Sequence, residues 1–384
     1  MKPLATNPSN MPRSGIREIM ELASELGNII HLEVGEPDFD TPKHIVNAAI
    51  SALGGGYTKY TPNAGITSLR KEIANKLRTS NGIGVSLENV VLTTGAVGGL
   101  TSSIIAVVEP GEEVLIPDPG WPNYESATRL IGAFPRAYPL DPQTGFLPDM
   151  DSLESLLSER TKMILINSPS NPTGAVFPEE TVKVLVDFAS KHDLYILSDE
   201  VYEHIIFEGE HISPALFDSE GRVITVMGFS KSYAMTGWRL GYVVAEQNIA
   251  SVVVKLQEPL VSCVFGVSQR AGEAALLGPQ DCVRKMRDSY RRRRDMAVRI
   301  LESNKLLSYV PRGAFYILID ISTTRMESYE FAKNLIRECR VAVAPGGTFG
   351  KVGESYVRVS LATEEGDLKE GLDRICSFIR SRNG

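Results

Sequence analysis

From about residue 88 the chain alternates short apolar runs with stretches of helical spacing. The runs are Val90–Thr93, Glu113–Ile116, Met163–Asn167, Leu194–Ser198, Val223–Met227 and Leu240–Ala245. They are too continuous in Val, Ile and Leu to have a wet face, which predicts strands covered on both sides. Glu179–Lys191, between two of them, has the spacing of a helix. The alternation predicts an α/β fold with a mostly parallel, doubly wound sheet.

The texture changes after about residue 285. Val283–Ser303 reads as one long polar helix, Phe315–Ile321 as a strand, Tyr329–Arg340 as a helix and Tyr356–Leu361 as a strand. Gly366–Ser381 carries Leu368, Leu372, Ile375 and Ile379 on one helical face. This predicts a smaller α+β domain. The first 40 residues predict one helix, Gly15–Leu26, free to pack on either domain.

A length of 384 residues accommodates two domains. The expected division is an N-terminal arm and part of the small domain over 1–44, a large domain over 45–285, and the rest of the small domain over 286–384, so that both chain ends build the small domain. With 43% hydrophobic and 23% charged residues, disorder, collagen and coiled coil are excluded as the main architecture. The net charge of −7 speaks against a nucleic-acid partner. The single basic run, Arg291–Arg294, is expected to be a solvated helix face laced with salt bridges. Four cysteines without a C-x-x-C pair fit a reducing compartment and no metal. Met1–Ser14 shows no apolar signal segment, and no apolar run reaches the roughly 18 residues of a membrane span. A cytoplasmic protein without a membrane partner is expected.

Ligands of an open α/β sheet bind beyond the carboxyl ends of its strands. There the sequence places Thr94-Gly95-Ala96-Val97 leading into a helix, Asn171-Pro172-Thr173-Gly174, Asp199-Glu200-Val201-Tyr202, and Ser230-Lys231-Ser232 followed by Arg239. Singly, each has a bland explanation: a turn, a helix N-cap for Asp199, a solvated strand residue for Arg358, a core residue for Trp121. His204 is read as structural. Together they supply an anion cradle, an amide, a carboxylate, a phenol, an amine and a guanidinium, which suits pyridoxal phosphate. Its aldehyde needs a lysine, its ring nitrogen a carboxylate, its ring oxygen donors, and its phosphate backbone N–H groups with a cation. Two rival motifs fail. Gly346-Gly347-Thr348-Phe349-Gly350-Lys351 lacks the spacing of a nucleotide phosphate loop, and no G-x-G-x-x-G marks a nicotinamide site.

Over nearly its whole length the chain resembles the class I/II aminotransferases, the fold type I pyridoxal-phosphate enzymes. The likeness runs through Gly35-Glu36-Pro37-Asp38-Phe39, Tyr60-Thr61-Pro62-Asn63-Ala64-Gly65, Asn171-Pro172-Thr173-Gly174, Ser198-Asp199-Glu200-Val201-Tyr202 and Ser230-Lys231 to Trp238-Arg239-Leu240-Gly241. It closes with Gly313-Ala314-Phe315-Tyr316 and Tyr356-Val357-Arg358-Val359-Ser360. Within the family it is most similar to the prokaryotic aspartate and archaeal aromatic branch. The resemblance implies that Lys231 carries the cofactor and acts as general base. Asp199 would pair with the ring nitrogen, and Tyr202 and Asn171 with the ring oxygen. Gly95, Ala96, Val97, Ser230 and Arg239 would hold the phosphate, and Trp121 would stack on the ring. Arg358 would grip the substrate α-carboxylate, with Gly35 lining the pocket and Trp121 and Asn171 touching the substrate. Tyr60 would reach the cofactor of a second copy, making a homodimer part of the site. The implied reaction is ping-pong transfer of an amino group from an L-amino acid to a 2-oxo acid such as 2-oxoglutarate. The segment Leu256–Gln269, where some aspartate-specific relatives place an arginine, has no Arg or Lys. This favours a broad or aromatic donor over aspartate. A lyase of the same fold is the alternative within enzymes.

Overall fold

The central sheet has seven strands, in the spatial order Val90–Thr94, Leu240–Val244, Val223–Gly228, Tyr195–Asp199, Thr161–Asn167, Glu113–Asp118 and Phe134–Pro139. The computed structural model describes residues 2–9, 11 and 14–382, so the assigned end points Met1 and Gly384, and part of Met1–Ser14, lie outside the described residues. All seven strands run parallel except Leu240–Val244, which is antiparallel to both neighbours.

Successive side chains of a strand point to opposite faces, and here each face meets its own helices. Val91, Val114, Leu165 and Val243 pack with Leu100, Ile104, Tyr124 and Val253 on one side. Leu92, Met227 and Tyr242 meet Ile45, Leu69, Ile73 and Ala271 on the other, where Leu115, Ile164 and Ile196 also meet Leu185 and Ala189. That two-sided covering is why the strands read as continuous apolar runs. The strand Phe134–Pro139 went unpredicted for the complementary reason. It is a mostly exposed edge strand with a proline at each of two positions, which only an edge tolerates.

The second layer is a three-stranded antiparallel sheet, ordered Ala344–Pro345, Tyr356–Ser360, Tyr316–Asp320. The helices Ser328–Cys339 and Glu365–Arg382 cover it, and the helix Gly15–Leu26 joins the same core through Ile19 and Ala23. The short strand Ile30–His31 pairs in parallel with Val341–Ala342. The helix Asp281–Ser303 starts with Cys282 and Val283 against the large-sheet core and continues with Met286, Tyr290 and Leu301 in the other. The change of texture at residue 285 therefore falls inside one helix.

The expectation for Arg291–Arg294 is corrected here. Four consecutive helical residues, about 100° apart, sample every side of the helix, so part of the run must face inward. Arg293 and Arg294 are 7% and 5% exposed. Arg293 forks onto both oxygens of Asp38 at 2.9 and 2.6 Å and reaches the Leu361 carbonyl. Arg294 donates to Glu208, Asp295 and the Pro311 carbonyl, and Arg291 to the Phe207 carbonyl. The run ties together segments far apart in the chain. Among the described residues, no helix is long and apolar enough to cross a membrane.

Candidate active site

Asp199 is the last residue of its strand rather than the first residue beyond it, and it is buried. Tyr124 Oη donates to its Oδ2 at 2.7 Å, and the Val201 N–H lies 3.3 Å from Oδ1. Burial pushes the carboxyl up to about 6, against the pull of those two donors. Lys231 stands just beyond the strand Val223–Gly228. Its Nζ donates to the Gly35 carbonyl at 2.7 Å and lies 6.0 and 5.7 Å from the Tyr202 and Phe315 ring centroids. Burial, and then the positive charge of Arg358, bring the amine down to about 8, while Glu36 and Asp199 oppose the shift. The acid is raised and the base lowered, so both sit near the pH at which proton transfer is useful.

The helix Gly95–Val107 follows the strand Val90–Thr94 directly, and its N-cap Thr94 makes no side-chain cap bond. Gly95 has φ +67°, and a Cβ there would stand 2.5 Å from Arg239 Nη2. A Cβ on Gly241 would stand 2.6 Å from the Ala96 nitrogen, so only glycine lets that strand pass this helix end. Gly228, two residues before Ser230, packs toward Ala96. The free amides of Ala96 and Val97 and the Arg239 fork thus lie at one helix N-terminus, which is favourable ground for a phosphate. Among the described residues no carboxylate pairs with Arg239, whose Nη1 donates only to the Thr236 carbonyl.

Arg358 lies mid-strand, opposite Leu318 and Ala344, and is 2% exposed, so it is no solvated strand residue. Nη1 donates to Asn171 Oδ1 at 2.9 Å and Nη2 to the Glu33 carbonyl at 2.5 Å, and Nε is buried without a partner. The guanidinium carbon is 4.2 Å from the Tyr316 ring centroid and 4.8 Å from that of Phe349. Both hydrogen-bond acceptors are neutral, and among the described residues no carboxylate stands at ion-pair distance; the buried Glu33 carboxylate acts on the cation only from farther off. Burial lowers its pKa. Gly35 is obligatory because a Cβ would stand 2.0 Å from Tyr316 Oη, which itself lies 2.8 Å from Tyr202 Oη.

Residue 35, 199, 202, 231 and 358 side chains or backbone thus meet in one crevice, and Asn171 joins them through Arg358. Trp121 is half-buried beside it, edge-on to Tyr124 at 5.6 Å. Tyr60 does not join in its own chain: it is 88% exposed. Sequence reasoning missed three supports. Asn167 ends its strand, accepts the Asn171 N–H at 2.7 Å and donates to the Asp199 carbonyl at 2.9 Å. Tyr316 lay inside a quoted motif without a role. Tyr124, one turn past Trp121, carries no sequence signal for its bond to Asp199. His204 sits 3.6 Å from Glu203, both of whose carboxylate oxygens accept from Lys76 Nζ.

This arrangement fits pyridoxal phosphate on its own chemistry. A buried carboxylate without an ion pair among the described residues matches a protonated ring nitrogen. An uncapped helix end beside a free arginine matches a phosphate, and an amine of lowered pKa matches an aldehyde.

Known proteins point the same way. Residues 27–375 match the family model described as aminotransferase class I and II. An aspartate aminotransferase of Pyrococcus horikoshii is 41% identical over 94% of both chains. Aromatic-amino-acid aminotransferase 2 of Thermococcus litoralis is 39% identical over 96% of both. The solved aspartate aminotransferase of Thermus thermophilus with maleate superposes with a TM-score of 0.94 at 36% identity, over 98% of this chain and all of that one.

Proposed function

Because the chain belongs to the class I and II aminotransferases and is a pyridoxal-phosphate-dependent transaminase of amino acids, we propose that the crevice around Lys231 is its active site. The observation that carries the reading is Arg358, a buried fork whose hydrogen-bond partners among the described residues are all neutral. A substrate α-carboxylate would supply the missing anion through two parallel charge-assisted bonds. When bound, pyridoxal phosphate supplies an aldehyde that condenses with amines and a protonated ring that draws electrons from the substrate Cα. The Ala96 and Val97 amides, with Gly95, Ser230 and Arg239, hold the phosphate. Asp199 keeps the proton on the ring nitrogen. Tyr202 and Asn171 would donate to the ring oxygen, Trp121 would cover the ring face, and Gly35 would leave room at the substrate. Lys231 would hold the cofactor, and its amine would move the proton at the substrate Cα, which its lowered pKa favours.

The proposed cycle is ping-pong, with a 2-oxo acid such as 2-oxoglutarate as acceptor. The relatives' names do not favour elimination. For the donor we propose an aromatic or broad range. Leu256–Gln269 holds no cation, and the adjacent Arg270 is committed to Glu273 and Tyr57. The test is a donor screen on the cofactor-loaded enzyme without acceptor. Each true donor bleaches the long-wavelength absorbance once and yields one equivalent of 2-oxo acid. Repeated release of ammonia would overturn the reading.

We also propose a homodimer. Ile50, Leu53, Tyr60, Leu260, Phe265 and Leu277 are large apolar side chains left exposed. They lie on neighbouring elements, joined where the Thr61 N–H donates to Cys263 Sγ. Such a patch marks an interface, and Tyr60 of a second copy would complete the phosphate site. A monomeric mass in solution would refute it. The domain limits 1–44, 45–285 and 286–384 belong to the same proposal and are supported by a distinct core around each sheet, although the small-sheet core also takes in Tyr202, Ile205, Phe207 and Ala234. A cytoplasmic location is supported by four free cysteines.

A further inference from the structure

Asp118 ends the strand Glu113–Asp118 and is 7% exposed, and the mechanism above does not use it. Both its carboxylate oxygens accept backbone N–H groups from the turn that precedes the Arg358 strand. Lys351 donates to Oδ2 at 3.0 Å, and Val352 to Oδ1 at 3.0 Å. Gly350, at φ +129°, makes this possible, because a Cβ there would stand 2.1 Å from Asp118 Oδ1. A second bond closes the same junction, from the Gly120 N–H to the Phe349 carbonyl at 2.7 Å. The two bonded segments are not neutral ground. One continues directly into Trp121. The other carries Phe349, whose ring stands 4.8 Å from the Arg358 guanidinium.

We propose that Asp118 is a positioning residue, whose carboxylate bolts the Phe349–Val352 turn to the Trp121 loop and so fixes Arg358 relative to Lys231. The inference rests on reading Arg358 as the α-carboxylate fork. A substrate gripped by the small sheet must present its Cα to groups borne on the large one, and misplacement by about 1 Å costs on the order of 10²-fold in rate. A carboxylate suits the junction because it accepts two N–H groups at once with charge-assisted bonds. An asparagine offers one oxygen and turns an NH2 toward the other donor.

The test uses Asp118→Asn in the cofactor-loaded enzyme. Binding of two unreactive carboxylates, 3-phenylpropionate and succinate, is measured by calorimetry, and the tighter of the two serves as probe. The expected result is at least about tenfold weaker probe binding and a slower first turnover with L-phenylalanine or L-aspartate. The dissociation constant of pyridoxal phosphate stays within about twofold. Gly350→Ala strikes the junction from its other side and should reproduce the selective loss, and the double variant should be little worse than either single one. Unchanged probe binding in both variants overturns the proposal. Parallel loss of probe and cofactor affinity also overturns it, by assigning Asp118 to the general fold. Arg358→Ala separates the two readings. If it loses the probe while Asp118→Asn keeps it, only the latch fails; if it too keeps the probe, the fork reading has failed first.

Discussion

Arg293 and Arg358 are both buried arginines, and they are answered differently. Arg293 is closed by a carboxylate fork from Asp38 and a carbonyl, at the strut between the N-terminal segment and the helix Asp281–Ser303. Arg358, in the crevice, has an amide oxygen, a carbonyl and an unpartnered Nε. Lys76, clamped by Glu203, belongs with the first. Burial would raise the Glu203 carboxyl, but the ammonium of Lys76 outweighs it and holds the group well below the usual range. Lys231, held by a single carbonyl, belongs with the second. A buried charge without its counter-charge costs stability. Where the fold keeps one, as in the proposed site, a ligand is read as supplying its partner, and on that reading the partner list separates architecture from chemistry more sharply than burial does.

The largest test of that contrast is Lys231→Ala. Turnover should fall by more than about 10⁴-fold, since the residue is proposed both to carry the cofactor and to move the proton. The cofactor-free chain should melt no lower than the parent at pH 7. The folded-state pKa is lowered to about 8, so the cost of burying the ammonium is present in full below that pH and fades only as the amine deprotonates toward pH 10.5. A clear drop in melting temperature would place Lys231 with the struts. Next comes Arg293→Ala, expected to lose about 3 kcal/mol in urea unfolding because Asp38 is left unpaired, with carboxylate affinity retained in the folded molecules. Arg358→Ala should invert that outcome. kcat/KM for an amino acid falls by about 10²-fold, worth about 2.7 kcal/mol, while stability falls much less than in Arg293→Ala. Equal destabilisation by the two arginine variants would break the comparison.

The same contrast explains how much could be read before the fold was known. The two-layer strands and the residues at their carboxyl ends were legible because hydrophobic runs set the register and Asp199, Asn171 and Lys231 sit within a few residues of those runs. Arg358 was legible only through resemblance, because alternation with Val357 and Val359 fits a wet strand equally well. Its burial depends on Glu33, Tyr316 and Phe349, each brought in from elsewhere in the chain. Arg293 and Arg294 were misread because a run of like charges carries no information about which member faces inward. Tyr124 was invisible because its bond to Asp199 spans 75 residues and leaves no local pattern.

Asp199 offers the finest version of the comparison, against Asp38. Asp38 meets an arginine, whereas Asp199 meets the Tyr124 hydroxyl and is lifted to about 6, chiefly by burial. Its unfolded value is 3.8. Between about pH 4 and 6 the folded, cofactor-free chain therefore binds more protons here than the unfolded chain does, and stability contributed by this residue falls as pH rises through that window. At about 1.4 kcal/mol per pKa unit the cost reaches about 3 kcal/mol and is constant above pH 6. Asp199→Asn removes the titration, so the difference in urea stability between variant and parent should grow from near zero at pH 4 to its full size by pH 6.5, in favour of the variant. Pyridoxal phosphate should reverse that order by giving the carboxylate a ring cation, so that the parent gains more from the cofactor than the variant does. A difference that stayed flat with pH would mean that the empty chain already answers Asp199 with a positive charge, and the distinction from Asp38 would be lost.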